Sequence, residues 1–548
     1  MPDPSRSIVD ILNLSTDKCT AELKRRSDES GELELLAELG KTFGNAPTPA
    51  IIAKLVNFVK TCYPQAPRPI RTIGIYYFHM TIGGVQRVIT SQFPIFKELG
   101  IKIVFFTDAH PEPNEYPLPD YVKRVWIPIP DATKPDFREQ LAECAEIIKA
   151  ENVDVFYNHH CSSITHLLWL SLVIKTAIKI PYFAHYHSVA SFNIAVNRNY
   201  QYLATAGLLK MVELCLVMSR ADQLYFSGCE INAVYMPNQY YLPDIKIFPK
   251  KQATGHTVLF LARIDPNKRP EDAVKTIEYV TEVIPDAKLL IVGSGWEKYE
   301  NIVKEVVSNS KAAANIEYCG PTMNVADYYH RADVFLSTSK IEGFPVTLLE
   351  AQAFGVPVVC YDMPYLEIIR RPDNGIITVP QEAPAAAAEA IVKVLTEPEL
   401  YRTKSQNGVA TAKHFAEYNF KEQWQQLLAN WSSLSKIESD PETLKIFLRT
   451  LHQHLYWNNA ENQNQLKKLK SDLFRAKQEY QRNAASTSNE IKKLKSKYKR
   501  VTNGFSYRLG RTLTWIPRKI RGGVRCLKQH GVAYTCKRIF QKIGILFK

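Results

Sequence analysis

The chain has 548 residues, 45% of them hydrophobic, so it is too long for a single core and apolar enough to bury the cores of two or more domains. Its ten cysteines are scattered, with no Cys-x-x-Cys pair and no His/Cys cluster of zinc spacing, which argues against a structural metal and for a reducing compartment. The formal net charge of +14 belongs to the tail, because residues 491–548 contain 17 Lys and Arg and no acid, which leaves the other 490 residues at −3.

The N-terminal segment, residues 1–69, is polar and does not resemble a signal peptide. It is predicted to form a helical extension with Asp17 and Thr48 as caps and a Pro-rich linker at 64–69. It carries no recognisable catalytic motif. The most apolar run of the chain, Leu167–Ile174, is far too short to cross a bilayer, so we expect a cytoplasmic protein.

Residues 70–245 are predicted to form a doubly wound parallel sheet, because buried-looking strands alternate with helical stretches. The predicted strands are 71–78, 101–107, 122–127, 153–157 and 182–187, and the predicted helices are 135–150, 164–179 and 205–220. After the first strand, Gly83 and Gly84 open a helix. Glycines there let a backbone approach a phosphate closely, although an ordinary tight turn explains them equally well.

The strand at 182–187 ends in two histidines, His185 and His187, at the place where ligands approach such a sheet. The two residues are two positions apart and share a face, and only His187 reaches the strand end. A hydrogen-bonded core histidine is the alternative interpretation for either residue.

Residues 246–435 repeat the alternation after a hinge at 243–254, which predicts a second Rossmann-like domain and a cleft between the two domains. The predicted strands are 257–262, 288–292, 315–318, 333–338 and 356–361, with helices at 271–283 and 324–330. The loop after the first of these strands carries Arg263, Lys268 and Arg269. Such cations could face a diphosphate and stabilise a leaving group, or they could form a solvated basic loop.

The segment after strand 333–338 carries two glutamates, Glu342 and Glu350, seven residues apart. Pro345 suits the first turn of a helix, which leaves Glu342 in the strand-to-helix loop and puts Glu350 at the edge of the apolar face. Two carboxylates beside a helix N-terminus suit a ligand with hydroxyls and phosphates. The alternative is that one glutamate caps a helix and the other is a solvated surface residue.

In combination these motifs resemble the retaining glycosyltransferases of family 4, which have the GT-B fold, over residues 73 to about 424. The resemblance rests on motifs that appear in this order: Gly83-Gly84, His187, Pro237-Asn238, Arg263 with Lys268, Gly293-Ser294-Gly295, Gly320, and Glu342 and Glu350 with Gly343-Phe344-Pro345 between them. Two positions depart from the family pattern, since Ala262 replaces the usual glycine and Asn238-Gln239 replaces the usual Asn-Gly.

The resemblance implies a role for each matched residue. Arg263 and Lys268 would hold the diphosphate of a nucleotide-sugar donor, Glu350 would bind the ribose hydroxyls, and Glu342 would hold the donor sugar. The backbone amides of Gly343 and Phe344 would help Glu342. His187, or His185 in its place, would lie beside the transferring carbon, and Gly83 and Gly84 would let their loop close on donor and acceptor.

No metal or cofactor is expected. No Asp-x-Asp occurs in the chain, so the two cations would replace a divalent ion beside the leaving diphosphate. The nucleotide-diphosphate sugar is a substrate. The implied reaction is retaining transfer by front-face attack, which needs no pair of catalytic carboxylates of the glycosidase kind.

Residues 415–431 are predicted to form a helix that ends the second domain and crosses back onto the first. The tail, residues 436–548, shows 3,4-spaced apolar residues from Leu466 to Tyr480 and again from Ile491 to Phe505, which predicts a broken coiled coil or a docking helix. Residues 491–548 mix aromatic, aliphatic and basic side chains, which favours attachment to an anionic membrane surface. A solvated tail is the alternative, and nucleic-acid binding is disfavoured.

The sequence therefore predicts a glycosyltransferase at the inner face of the plasma membrane. Its acceptor would be a glycan or a lipid-linked saccharide in cell-surface polysaccharide synthesis. A nucleotide-sugar epimerase or a phosphorylase could share the fold, and a non-catalytic binding scaffold remains a third possibility.

Overall fold

The computed structural model describes residues 6–503, apart from residues 82, 197–198, 241–248, 250–251, 323, 433–439 and 483–487. The chain folds into two compact units, the first formed by Met1–Met236 with Lys421–Lys548 and the second by Pro237–Phe420. Each unit contains a parallel sheet with helical crossovers, so the predicted α/β class with two Rossmann-like domains is confirmed. Most of the predicted hinge at 243–254 lies outside the described residues.

The first unit begins with four helices, as predicted for the N-terminal segment: α1 (Ile8–Asn13), α2 (Thr16–Ser30), α3 (Glu32–Phe43) and α4 (Pro49–Cys62). Thr48 caps α4 as predicted, because its hydroxyl accepts the N–H of Ile51 and Pro49 occupies the first turn. The prediction for Asp17 is wrong. Ser15 is the N-cap of α2, and Asp17 lies in the first turn, where its negative charge interacts favourably with the positive end of the helix dipole.

The first sheet has seven strands in the order β3-β2-β1-β4-β5-β6-β7. The strands are β1 (Thr72–Tyr76), β2 (Lys102–Thr107), β3 (Val122–Trp126), β4 (Val155–Asn158), β5 (Tyr182–Tyr186), β6 (Leu214–Val217) and β7 (Ala233–Tyr235). Their helices are α5 (Gly84–Glu98), α6 (Phe137–Ala150), α7 (Ile164–Leu172), α8 (Ala190–Ala195), α9 (Asn199–Leu208) and α10 (Arg220–Gly228). A π-helical segment, Val173–Ile178, continues α7.

The predicted helix at 205–220 is wrong in its second half. The helix α9 ends at Leu208, a 3-10 turn follows, and Leu214–Val217 form β6 between β5 and β7. All four residues of β6 are buried. A strand buried on both faces has no polar alternation, so its sequence cannot be told from a buried helix by periodicity.

The second sheet has six strands in the order β10-β9-β8-β11-β12-β13. The strands are β8 (Thr257–Leu261), β9 (Lys288–Val292), β10 (Ile316–Gly320), β11 (Val334–Ser337), β12 (Val358–Tyr361) and β13 (Ile376–Val379). Its helices are α11 (Pro270–Val283), α12 (Glu297–Ser308), α13 (Val325–Arg331), α14 (Val346–Ala353), α15 (Glu367–Arg370), α16 (Pro384–Thr396) and α17 (Pro398–Ala416).

In each sheet an aspartate ties the strand β1 or β8 to its neighbour at the amino end, and the one in the second sheet is buried. Asp154, just before β4, accepts the N–H groups of Arg71 and Thr72 at 2.8 Å. Asp333, just before β11, accepts the N–H groups of Thr254 and Thr257 at 2.8 and 3.0 Å. These bonds hold β1 beside β4 and β8 beside β11, the strand pairs where each sheet reverses its order.

The chain returns to the first unit through α18 (Phe420–Asn430), α19 (Pro441–Arg482) and α20 (Ser488–Asn503). Trp424 of α18 is fully buried against Phe96 and Tyr157. The predicted single helix at 415–431 is in fact interrupted, because α17 ends at Ala416 and α18 starts at Phe420.

Helix α19 docks onto the first unit through its N-terminal half. Phe447 stacks on Tyr225 of α10 with ring centroids 4.9 Å apart, and Asn458 donates to the carbonyl of Ala195 at 2.7 Å. None of the described helices has both the length and the apolar composition needed to cross a bilayer. Residues 504–548, which make up most of the predicted membrane-attachment segment, lie outside the described residues.

Candidate functional site

The second unit brings two loops together at the point where its strand order reverses. The strands β8 and β11 are adjacent and parallel, so the loops that follow them leave the same edge of the sheet. The hydroxyl of Thr338 donates to the carbonyls of Lys268 and Arg269, both at 2.8 Å. The N–H of Lys340 donates to the carbonyl of Asn267 at 2.6 Å. The cationic loop and the glutamate loop therefore form one hydrogen-bonded structure.

Lys268 and Glu342, both predicted from the sequence, are in direct contact. The Nζ of Lys268 lies 2.5 Å from Oε1 of Glu342, and the two side chains are 19% and 14% exposed. The hydroxyl of Ser339 donates to the same carboxylate oxygen at 2.7 Å. The hydroxyl of Tyr365 accepts the N–H of Glu342 at 3.1 Å and donates to its carbonyl at 2.9 Å. An ammonium and a carboxylate are thus held side by side at the surface, where they can meet phosphate oxygens and hydroxyls.

Arg263 is held by a buried aspartate in its own loop. Its Nε donates to Oδ2 of Asp265 at 2.6 Å, and its side chain remains 72% exposed. The other carboxylate oxygen of Asp265 accepts the N–H of Asn267 at 2.8 Å. Because Asp265 is only 5% exposed, it orients the guanidinium and shapes the loop at the same time.

Two glycines let the Arg263 loop lie against the loop that follows β9. A Cβ on Gly293 would come within 1.9 Å of the Ala262 carbonyl oxygen, and one on Gly295 within 1.8 Å of the Ile264 carbonyl oxygen. Gly293 also has a φ of 139°, which side-chain-bearing residues rarely adopt. The contact is a backbone bridge, since the N–H of Ile264 donates to the carbonyl of Ser294 at 2.9 Å.

Glu350 lies in α14, and the structure buries it more deeply than the predicted edge position. Its side chain is 6% exposed, and Oε2 accepts the hydroxyl of Tyr329 at 2.8 Å. Phe344 is also buried, against the ring of Phe415, and Gly343 beside it is half-buried. Pro345 is the N-cap residue, so α14 begins one position later than predicted.

In the first unit, Gly83 and Gly84 lie at the N-terminus of α5. Gly83 is the N-cap, with an extended backbone that any residue can adopt, and no side chain caps this end. A Cβ on Gly84 would meet nothing within 4 Å, whereas one on Gly83 would meet Oε1 of Gln86 at 2.6 Å. The backbone therefore does not require either glycine, and no described residue fills the space beside Gly84. An open end of a 15-residue helix can receive an anionic group.

The two predicted histidines lie at the carboxyl end of β5, joined there by His159 from the end of β4. His159 Nδ1 is 2.9 Å from His187 Nε2, and His185 Nδ1 is 2.8 Å from the hydroxyl of Tyr157. The rings of His185 and His187 stack with centroids 3.9 Å apart. His185 is fully buried, whereas His187 lines a cavity of about 270 Å³. Burial lowers the pKa of His187 to about 3, so its ring is neutral.

The sequence interpretation missed several residues that hold the predicted ones. Four of them form hydrogen bonds with predicted residues, namely Ser339, Tyr365, Asp265 and Tyr329. Their importance becomes apparent only from these three-dimensional contacts. His159 was missed for the same reason, because it lies 26 positions before His185 in the sequence. A search for polar residues at the ends of neighbouring predicted strands could have found it.

Residues 244–410 match the family model of Glycosyl transferases group 1, and this segment contains Arg263, Lys268, Glu342 and Glu350. A Bacillus subtilis poly(glycerol-phosphate) alpha-glucosyltransferase is 26% identical over 38% of this chain and 34% of its own length. A Bacillus anthracis N-acetyl-alpha-D-glucosaminyl L-malate synthase is 27% identical over 48% of this chain and 70% of its own length.

Solved structures share the fold. Anabaena HepE, crystallised in complex with UDP and glucose, superposes with a TM-score of 0.54 at 14% identity, over 67% of this chain and all of that one. At this identity the likeness concerns the fold, which is the two-sheet GT-B arrangement that the sequence resemblance implied. The chain spans about a third of the length of the Bacillus subtilis relative.

Proposed function

We propose that this chain is a retaining, metal-independent glycosyltransferase of the family 4 type, which moves a sugar from a nucleotide-diphosphate sugar to a glycan or lipid-linked saccharide. The observation that carries the proposal is the contact between Lys268 and Glu342 at the reversal point of the second sheet. It lies within the segment that matches Glycosyl transferases group 1. An ammonium beside a carboxylate suits a ligand that has phosphate oxygens next to hydroxyls.

The donor-binding roles follow from the charges and their surroundings. Lys268 and the exposed guanidinium of Arg263 bind the diphosphate. Glu342 accepts hydrogen bonds from hydroxyls of the donor sugar, with the backbone amides of Gly343 and Phe344 beside it. Glu350, held by Tyr329, accepts those of the ribose.

The transfer step needs no carboxylate nucleophile. The acceptor oxygen bonds to the anomeric carbon on the face from which the diphosphate leaves, as the bond from that carbon to the diphosphate oxygen breaks. The hydroxyl proton passes to an oxygen of the departing phosphate. Arg263 and Lys268 stabilise the negative charge that builds up there, which is the role that a divalent ion plays in other transferases.

To the first unit we assign contact with the reacting sugar through His187 and with an anionic substrate group through the open N-terminus of α5 at Gly83 and Gly84. Because its ring is neutral, His187 can offer a hydrogen bond to the reacting sugar. His185 is buried against Tyr157 and is the less suitable of the two.

For the donor, UDP-glucose is the first candidate, since HepE was crystallised with UDP and glucose. For the acceptor, a cell-surface polymer or its lipid-linked precursor is the proposed class, and the Bacillus subtilis relative is named for transfer to a polymer, poly(glycerol-phosphate).

Residues 491–548 would hold the protein at the anionic inner face of the plasma membrane. Full-length protein should co-sediment with phosphatidylserine vesicles at low salt and be released at high salt. Lack of binding at low salt would refute the membrane part alone.

The donor site is tested by substitution. A thermal-shift screen of nucleotide sugars first identifies the donor, since a ligand that binds only the folded state raises the melting temperature. Lys268→Ala and Glu342→Ala should then each lower kcat/KM for transfer by about 100-fold or more, because the first removes a cation that stabilises the leaving diphosphate and the second removes the acceptor for the sugar hydroxyls. Lys298→Ala removes an exposed lysine from α12 of the same unit and should leave transfer unchanged.

The same assays separate the alternatives. Product formed from the donor alone would identify an epimerase, and a requirement for free phosphate would identify a phosphorylase. Retention of activity by both Lys268→Ala and Glu342→Ala would contradict the proposed site. Donor binding with no turnover of any acceptor tested would favour a binding scaffold.

A further inference from the structure

Three histidines converge at the carboxyl ends of β4 and β5. One nitrogen from each of His159, His185 and His187 lies within 4.8 Å of the other two. Ligand nitrogens bound tetrahedrally to zinc at 2.0–2.1 Å lie about 3.4 Å from one another. Small side-chain rotations would therefore close the three rings around an ion. Pairing of β4 with β5 in parallel register is what brings His159 beside His185.

Two nitrogens of this cluster are buried and have no hydrogen-bond partner among the described residues. These are Nε2 of His159, whose residue is 2% exposed, and Nε2 of His185, whose residue is fully buried. Buried polar atoms are almost always paired, because leaving one unpaired costs about 1–3 kcal/mol. A bound ion would satisfy such atoms.

We infer that His159, His185 and His187 form a binding site for a divalent transition metal of the zinc class. Imidazole nitrogens suit zinc, cobalt, nickel or copper ions, whereas magnesium and calcium prefer oxygen ligands. The cavity of about 270 Å³ that His159 and His187 line offers room for a water molecule as the fourth ligand. The neighbouring Cys161 is not part of this group, and its Sγ donates to the His185 carbonyl at 3.4 Å.

This site goes beyond the proposed function and rests on the first unit alone. An ion held by all three rings would tie the carboxyl ends of β4 and β5 together. It would also fix the ring of His187, the residue to which the proposed function assigns contact with the reacting sugar. The ion would not replace Arg263 and Lys268, which face the diphosphate.

The test measures metal binding and needs no transfer activity, so failure of this site and failure of the transferase proposal are separately visible. Full-length protein is stripped with a chelator, and zinc chloride is titrated in against a chromophoric competitor. Cobalt chloride is titrated in parallel and followed by its visible absorption. His159→Gln and His185→Gln are compared with His110→Gln, which changes an exposed histidine of the same unit.

The wild-type protein and His110→Gln should each bind one equivalent of zinc and melt at a higher temperature when it is bound. His159→Gln and His185→Gln should bind zinc about 100-fold more weakly or worse, since each loses one of three protein ligands. The wild-type cobalt spectrum should be that of a four-coordinate site without thiolate charge transfer, which is informative even where a variant folds poorly. A wild-type protein that zinc does not stabilise, or a cobalt spectrum with thiolate bands, would overturn the inference.

Discussion

Substitution of Gly295 by alanine is the sharpest test of how the Arg263 loop is positioned. The added Cβ would lie 1.8 Å from the carbonyl oxygen of Ile264, which belongs to backbone and cannot rotate away. Ordinary contact begins at 3.4 Å, so the two loops must separate by about 1.6 Å. The hydrogen bond from the Ile264 N–H to the Ser294 carbonyl, now 2.9 Å, would be lost or strained.

Two effects follow, one on the stability of the fold and one on catalysis. Overpacking and loss of this hydrogen bond together should lower the free energy of unfolding by about 2–3 kcal/mol. A displacement of more than 1 Å at Arg263, next in sequence to Ile264, should lower kcat/KM by about 100-fold, because misplacement on that scale commonly has such an effect. The loss in kcat/KM corresponds to about 2.7 kcal/mol of transition-state stabilisation.

Stability is measured by urea unfolding, and transfer is measured with the donor found in the nucleotide-sugar screen. Gly228→Ala is the matched control, since a Cβ there meets nothing within 4 Å, and both quantities should stay near wild-type values. Asp265→Asn tests the same loop without a backbone clash. It removes the charge that holds the Arg263 guanidinium and should lower kcat/KM about tenfold. Wild-type turnover by Gly295→Ala would refute the idea that this close packing positions Arg263.

Three further predictions concern other parts of the molecule. Tyr329→Phe removes the hydroxyl that donates to Glu350, so it should weaken donor binding about tenfold and have a smaller effect on kcat. KM and kcat are measured separately, and equal losses in both would contradict a ribose-binding role for Glu350. Phe447→Ala should lower the free energy of unfolding of the first unit, measured in urea, by about 3 kcal/mol, because the ring is buried on Tyr225. Phe474 lies on the same helix but is 63% exposed, so Phe474→Ala should have little effect. Similar losses in the two variants would show that α19 does not dock as described. Burial raises the pKa of Asp222 to about 7, so between pH 4 and pH 7 the carboxyl is ionised in the unfolded chain but protonated in the folded one. The free energy of unfolding therefore falls by up to about 4 kcal/mol as the pH rises through that window. The stability of Asp222→Asn relative to the wild type should rise between pH 4.5 and pH 7.5, and an unchanged difference would refute the shift.

Much of the fold followed from local patterns. Alternating apolar strands and amphipathic helices indicated two doubly wound sheets, and the strand ends located the loops at Arg263 and Glu342 correctly. Prediction failed where a pattern was ambiguous. The four residues of β6 are buried on both faces and lack polar alternation, so their sequence pattern is equally compatible with a buried helix. The interruption between α17 and α18 escaped notice for a similar reason, since both flanking segments are helical.

The sequence by itself determined which residue types were available for chemistry: three cations after one strand, two acids after another, and histidines at a strand end. Only the tertiary structure decided which of them meet. Strand pairing brings the Lys268 loop to the Glu342 loop, and it brings His159 to His185 and His187, although the partners are 74 and 26 or more positions apart. Buried partners such as Asp265 and Tyr329 also became visible only in three dimensions. The physical reason is that parallel neighbours in a sheet are joined by long crossovers, so contacts at their ends have no short-range signal in the sequence.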